Sequence, residues 1–166
     1  MKKIFTIIFI MLITITTNSC VDPQTNNSDY EEDNMPLGVS IIQLIANPVE
    51  YHGKKIRVDG VANLSVGARA IYLCTEHWYY MSNRNALWVS IESKYIDYED
   101  GSYEHWYYIN DEWVVYEDAQ HYNGKYVLIE GTFDMYEIGN RGMFSGGIVN
   151  VTRFSDFSNF HRDIIP

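Results

Sequence analysis

The chain has 166 residues, of which 15% are aromatic, and its 22 acidic and 12 basic residues give a formal net charge of −10. This length allows a single domain of ordinary size. The acidity argues against nucleic acid as a partner, because affinity for nucleic acid comes mainly from lysines and arginines that neutralise phosphates.

The first 19 residues have the pattern of an export signal. Lys2 and Lys3 precede an almost entirely apolar stretch, residues 4–16, and small polar residues follow it. The apolar stretch is shorter than the roughly 20 residues that a membrane span needs, although an uncleaved N-terminal anchor is the alternative. Removing residues 1–19 takes away two lysines and no acid, which changes the net charge from −10 to about −12.

Cys20 directly follows this signal and the small residue Ser19. The arrangement resembles the lipobox of bacterial lipoproteins, and the resemblance implies that the Cys20 thiol carries a diacylglycerol. Residues 20–37 are rich in Asp, Asn, Glu and Ser and poor in apolar side chains, so we expect a flexible tether. The sequence therefore predicts a lipid-anchored protein of the bacterial cell envelope, on the periplasmic side or at the outer membrane.

Two similar phrases, at residues 51–60 and 122–131, predict the most regular strands. Each reads Tyr-x-Gly-Lys, continues with apolar residues at alternate positions, and ends with an acid and a glycine. Alternation with a period of two is typical of a half-buried strand. The last glycine permits a bulge or a sharp bend. Two strands that begin and bend alike indicate a small, curled, antiparallel barrel.

The remaining elements can be predicted in chain order. A short helix begins at Ser40, which can cap it, and ends before Pro48. Strands are predicted at residues 54–64, 70–75, 86–91, 125–133 and 142–154, with Cys74 as a small buried hydrophobic residue. These parts predict a mostly β fold, a five-stranded OB-like barrel over residues 38–154 that is preceded by the helix and followed by a tail, 155–166.

Six motifs also carry a resemblance to a family. They are IIQLIANP at 41–48, YHGK at 51–54, AIYL at 70–73, NALWV at 85–89, NGKYVLIEGTF at 123–133 and GMFSGGI at 142–148. Together they are similar to small bacterial proteins of unknown function. The resemblance covers residues 39–153 outside the connection after the third strand. It implies a compact OB-like β fold and assigns no catalytic residue.

The connection after the third strand is an acidic, aromatic insert. Residues 92–118 contain nine acids, one lysine and eight aromatic residues. The pentapeptide EHWYY occurs at 76–80 and again at 104–108, and we interpret the repeat as a duplicated hairpin element. In the insert we predict strands 104–109 and 112–116, joined by a turn at Asn110-Asp111. Alternation places Trp106 and Tyr108 on one face and His105 and Tyr107 on the other. The aromatic rings would either pack on the barrel or form a recognition surface.

OB-like barrels commonly bind ligands across their second and third strands and the adjoining loops. The candidate ligand-binding residues are Tyr72, Glu76, His77, Trp78, Tyr80, Trp88, Glu104, His105, Trp106 and Tyr108. The sequence contains no catalytic, metal-binding or cofactor motif. We therefore expect a non-catalytic binding or assembly module, without cofactor or metal, for a protein partner or an envelope glycan. The alternative is a small glycan-directed hydrolase that uses Glu76 and Glu104, which requires both carboxylates in one pocket.

Overall fold

The computed structural model describes residues 35–157, so the predicted export signal, Cys20 and most of the tether lie outside the described residues. Within this range the elements in chain order are β1 (Leu37–Gly38), α1 (Ile41–Ala46), α2 (Pro48–Tyr51), β2 (Lys55–Asn63), β3 (Ala70–Tyr72), α3 (Thr75–Tyr79), β4 (Ala86–Val89), β5 (Ser93–Asp97), β6 (Tyr103–Ile109), β7 (Glu112–Val115), α4 (Tyr116–Ala119), β8 (Tyr126–Asp134) and β9 (Gly147–Asp156).

Five strands close into a barrel. Residues 55–61 of β2 pair antiparallel with β8, and residues 61–63 pair antiparallel with β3. β3 pairs antiparallel with β4, and β4 pairs parallel with β9. β9 pairs antiparallel with β8, which closes the barrel. β1 adds one extra strand, parallel to β2. The predicted fold class, a small OB-like barrel with a helix in front and an inserted hairpin, is confirmed.

The glycine that ends each phrase lies where two strands approach closely. A Cβ atom on Gly60 would lie 2.8 Å from the Tyr72 carbonyl oxygen. A Cβ atom on Gly131 would lie 2.7 Å from a methyl of Ile148 and 2.9 Å from a backbone oxygen of β9. The register of β8 against β9 shifts at Gly131, as expected for a bulge. Both phrases therefore form the strands that curl and close the barrel.

Helix α1 begins at the predicted cap. The Ser40 hydroxyl accepts a hydrogen bond from the Gln43 backbone N–H at 3.2 Å, and the Gln43 side chain accepts one from the Ser40 N–H at 2.9 Å. This is a capping box, which satisfies two backbone donors at the helix start. Ile41 and Leu44 of the helix are buried in the barrel core. Pro48, expected only to end the helix, also begins α2, because its fixed φ suits the first helical position.

Three of the predicted barrel strands had wrong boundaries. The second barrel strand, β3, ends at Tyr72 because α3 begins at Thr75, and this leaves Cys74 half-buried at the helix N-cap. The third, β4, ends at Val89. The fifth, β9, begins at Gly147, since a 3-10 turn at Asn140–Gly142 precedes it, and it continues to Asp156. The first two residues of the expected tail are therefore part of the barrel.

Gly131→Ala tests whether close strand approach at the bulge supports the barrel. We expect the free energy of unfolding to fall by about 1–3 kcal/mol, the usual cost of overpacking a tight contact. Gly38→Ala is the matched control, because a Cβ atom there meets nothing within 4 Å. Chemical denaturation of both variants measures the difference, and equal stability of the two variants would contradict this account.

Candidate functional site

The two copies of EHWYY fold differently. The first four residues of the first copy lie in α3, whereas the second copy forms the centre of β6. β6 pairs with β5 and β7, and α3 is not part of this sheet. The interpretation as a duplicated hairpin element is therefore wrong. The two copies do not pair with each other, so no strand pairing brings Glu76 next to Glu104.

In the first copy, Trp78 packs against the barrel, whereas Glu76 and Tyr80 are exposed to solvent. The Trp78 indole lies against Gly124 of the second phrase. It also packs against the smaller hydrophobic cluster of the barrel, which consists of Val61, Ala70, Tyr72, Ala86, Trp88 and Phe144. Tyr80 is 75% exposed, and Glu76 is also exposed. The structure thus gives Trp78 a packing role and leaves the other two available to solvent.

The expected ligand face of the barrel is covered by the protein itself. Tyr72 is fully buried, and Trp88 is only 7% exposed. The Trp88 ring lies 5.4 Å from the Phe144 ring, and the Tyr72 hydroxyl donates a hydrogen bond to Asn83 Oδ1 at 2.8 Å. Both side chains are packed against the protein's own residues, so the expectation that they bind a ligand has no support from the geometry.

The inserted sheet has the predicted hairpin at its centre. β6 and β7 meet at Asn110 and Asp111, whose φ angles of 51° and 64° suit a two-residue hairpin turn. A third strand, β5, was not predicted and pairs with β6. The alternation is as expected, because His105 and Tyr107 are buried whereas Tyr108 is exposed and Trp106 is half-buried.

The buried face of this sheet is docked on the barrel by two side chains. The Tyr107 hydroxyl donates to the Leu64 carbonyl oxygen at 3.2 Å. Burial raises the pKa of Tyr107 to about 12, so the side chain stays a neutral donor. The Asn110 amide donates to the Phe154 carbonyl at 2.6 Å and accepts from the Phe154 N–H at 2.7 Å. These bonds join the hairpin to the β2–β3 connection and to β9.

A pocket of about 250 Å³ opens beyond Tyr107 on the same sheet. We call it the tyrosine–histidine pocket, and it is lined by Val66, Tyr95, Tyr103, His105, Tyr116 and Glu117. Of these residues only His105 was a predicted candidate. Val66 belongs to the turn between β2 and β3, so the barrel and the inserted sheet both contribute to the wall.

His105 is the unusual residue of the pocket. It is only 7% exposed, and neither of its ring nitrogens has a hydrogen-bond partner within the described range. Its ring is stacked on Tyr95 at a centroid distance of 4.2 Å, and Tyr116 lies nearly parallel to it at 5.6 Å. A buried polar group without a partner costs about 1–3 kcal/mol. Both nitrogens are closed to solvent in this structure, so a ligand with a donor and an acceptor would remove this cost only after an adjacent ring, such as that of Tyr95, moved aside.

Burial lowers the pKa of His105, and the positive charge of Arg69 lowers it further, while Glu117 has the opposite effect. The imidazole is therefore neutral at pH 7 and offers one N–H donor and one nitrogen acceptor. Arg69 is held near by its bond to the Ile91 carbonyl oxygen at 2.6 Å. A neutral histidine between tyrosine rings is equipped to bind and orient a polar group.

The opposite face of the inserted sheet is an open aromatic surface. We call it the outer face, defined by Lys94, Glu104, Trp106, Tyr108 and Trp113. The Lys94 ammonium lies 4.0 Å from the Trp113 ring, and Tyr108 lies 5.2 Å from the same ring. The Trp106 indole N–H donates to Glu104 at 3.1 Å. Three predicted candidates, Glu104, Trp106 and Tyr108, are thus together on this surface, while His105 is on the other side.

A larger groove of about 410 Å³ runs along β8 and β9 near the bulge. Its carboxylate, Glu130, already has ion pairs with Arg57 at 2.7 Å and Arg153 at 3.4 Å. Its lining contains no aromatic ring. This groove lacks the unpaired polar atoms of the tyrosine–histidine pocket, which is therefore the better candidate site.

Among the described residues, no group of three or more His, Cys, Asp or Glu side chains could hold a metal ion. The same part of the chain contains no helix that is long and apolar enough to cross a membrane.

Comparison of the chain with protein-family models, with curated proteins and with solved structures found no match. The family resemblance of the six motifs remains a prediction.

Most of the pocket was missed because its residues are distant in the sequence. Tyr95 is opposite His105 across the β5–β6 pair, and Tyr116 begins α4. Tyr103 and His105 lie two positions apart on one strand, and the period-two alternation of a strand predicts that such residues share a face. In residues 93–97, serine, tyrosine and aspartate alternate with lysine and isoleucine, and this period-two pattern is a sequence signal for β5 and for the position of Tyr95.

His105→Phe tests the environment of the histidine while keeping an aromatic ring in the stack. Since the folded state lowers the pKa of His105 below its ordinary value of 6.5, the unfolded chain binds a proton more readily. The associated stability is present above about pH 6.5 and is lost as the pH falls. We expect the unfolding free energy to fall less between pH 7 and pH 5 in His105→Phe than in the wild type. Equal losses in both proteins would contradict a neutral, desolvated His105.

Proposed function

We propose that this chain is a lipid-anchored, non-catalytic protein of the bacterial cell envelope that binds a neutral glycan. The tyrosine–histidine pocket would hold one sugar ring. The observation that carries the proposal is the buried His105, whose two ring nitrogens have no partner in the described part of the chain. A sugar offers adjacent hydroxyl groups, each of which both donates and accepts hydrogen bonds.

The electrostatics of the pocket favour an uncharged ligand. Glu117 and the formal net charge of −10 disfavour an anion. Arg69, which is near enough to lower the pKa of His105, disfavours a cation. A neutral ligand with many hydroxyl groups avoids both penalties, and its hydroxyls can donate to the Glu117 carboxylate.

The shape of the pocket supports a small unit of a larger molecule. Its volume of about 250 Å³ is below the roughly 300–1,000 Å³ of pockets that hold drug-sized ligands. Tyrosine side chains dominate the lining, and flat aromatic rings present a large apolar face at low entropic cost. One sugar ring at the end of a chain, or one that protrudes from it, fits these limits.

The membrane attachment in this proposal rests on the N-terminal sequence. Residues 1–19 have the pattern of an export signal, and Cys20 follows them in a lipobox-like position. A lipid at Cys20 and a polar tether would place the domain close to envelope glycans. The hydrolase alternative loses its main support, because Glu76 and Glu104 lie on α3 and β6, which belong to different parts of the fold.

A protein partner is the second candidate ligand, and the outer face is the observation that favours it. Tyr108 and Trp113 are each 38% exposed, and aromatic residues are enriched at the centres of protein interfaces. Such a partner would contact the side of the inserted sheet opposite the tyrosine–histidine pocket. The two candidate ligands therefore depend on different residues of one hairpin.

Substitutions in the pocket separate these candidates. We expect Tyr95→Ala and His105→Gln each to weaken the binding of neutral oligosaccharides about tenfold, which corresponds to about 1.4 kcal/mol. Tyr95→Ala removes the ring that stacks on His105, and His105→Gln removes the imidazole nitrogens. Isothermal titration against oligosaccharides of glucose, galactose, mannose and N-acetylglucosamine measures the affinities.

Trp113→Ala is the matched control, because it removes an aromatic ring from the same hairpin on the opposite face. It should leave oligosaccharide affinity unchanged. Loss of binding only in Trp113→Ala would instead place the ligand on the outer face. No binding of any oligosaccharide by the wild-type protein would refute the glycan proposal.

A further inference from the structure

A cysteine, a histidine and an asparagine form a connected group at the start of α3, apart from the tyrosine–histidine pocket. Cys74 Sγ lies 3.5 Å from His77 Nδ1, and His77 Nε2 lies 3.2 Å from Asn85 Nδ2. Cys74 and His77 are both half-buried. The thiol is therefore next to a base and is still reached by solvent.

The backbone fixes the positions of these three side chains. The Trp78 N–H donates to the Cys74 carbonyl at 3.0 Å, which sets Cys74 and His77 one helical turn apart on α3. The Leu73 N–H donates to the Asn85 carbonyl at 3.0 Å, which holds Asn85 beside the end of β3. The arrangement is thus built from two separate segments of the chain and does not depend on one flexible loop.

The order of contacts matches the requirements of an activated thiol. A nucleophilic cysteine needs a base within hydrogen-bond reach, and the base needs a third group that orients it. The Asn85 amide can turn its oxygen toward His77 Nε2, since its oxygen and nitrogen are interchangeable in shape. His77 then carries its proton on Nε2 and presents the unprotonated Nδ1 to the thiol.

We propose that Cys74 is a site of covalent modification by low-molecular-weight disulfides. In this step His77 Nδ1 takes the thiol proton, and the Cys74 sulfur attacks one sulfur of the disulfide. A new S–S bond to Cys74 forms, the original S–S bond breaks, and the departing thiolate takes up the proton. His77 acts as the general base, and Asn85 is a positioning residue. In the oxidising cell envelope such disulfides would persist.

One carboxylate competes with His77 for the thiol. The pKa of Glu76 is lowered mainly by a hydrogen bond from its own backbone N–H, and next by a hydrogen bond from the Cys74 thiol. Glu76 is exposed, so its charge is screened by solvent, whereas His77 is half-buried next to the sulfur. Glu76→Gln removes the competing acceptor, and we expect it to leave the reaction rate unchanged or to raise it.

The test measures how fast Cys74 reacts with 4,4′-dithiodipyridine, a neutral disulfide, at pH 7. The full chain carries Cys20→Ser so that Cys74 is its one remaining thiol. A synthetic peptide of residues 70–79 is the reference, because it contains the same neighbours in the sequence without Asn85 and without the fold. General base catalysis predicts that the folded protein reacts about ten times faster than the peptide or more.

Three variants assign the roles. His77→Gln should bring the rate down to that of the peptide or below it, because a half-buried thiol without a base is less accessible. Asn85→Ala should lower the rate, and Asn85→Asp should restore it, because an aspartate oxygen also accepts from His77 Nε2. A wild-type rate at or below that of the peptide would overturn the proposal, as would an unchanged rate in a folded His77→Gln variant.

Discussion

The attachment of the inserted hairpin to the barrel is the constraint on which the candidate site depends. The Asn110 side chain bonds to Phe154 in the way a neighbouring strand would, because it donates to the Phe154 carbonyl oxygen and accepts from the Phe154 N–H. Tyr107 attaches the middle of β6 to Leu64. With these two points fixed, the strand alternation sends His105 toward the barrel and Trp106 toward solvent. The tyrosine–histidine pocket and the outer face are therefore two results of one docking geometry.

The repeated pentapeptide shows how context selects between helix and strand. Helix propensity and strand propensity each amount to at most about 1 kcal/mol for ordinary residues, so tertiary contacts decide. In the first copy, Trp78 lies against Gly124 and the smaller hydrophobic cluster of the barrel, and the segment forms one helical turn. In the second copy, β5 and β7 bond to both edges of the segment. Identical side chains thus end as a helix with a thiol–histidine contact and as a strand with a buried histidine.

The sequence was sufficient to predict the features that local pattern encodes. The two phrases predicted β2 and β8, the cap at Ser40 predicted α1, and Asn110-Asp111 predicted the hairpin turn, since each depends on neighbouring residues. The site required long-range pairing. Burial of Trp88 depends on Phe144, which is far along the chain, and the stack of Tyr95 on His105 depends on a strand register that linear spacing does not define. Cys74 was wrongly expected in a strand because apolar alternation continues past the true end of β3.

The central claim is that the His105 ring is neutral, that its nitrogens have no hydrogen-bond partner within the described residues, and that a sugar in the pocket bonds to them. Long-range proton–nitrogen NMR of the histidine rings tests it directly, with assignment by comparison to His105→Phe. The account predicts that His105 takes up its second ring proton only below pH 6.5, the ordinary histidine pKa, and that its nitrogen signals shift when a neutral oligosaccharide is added at pH 7. A second protonation at or above pH 6.5, or signals that do not change with any oligosaccharide, would contradict it.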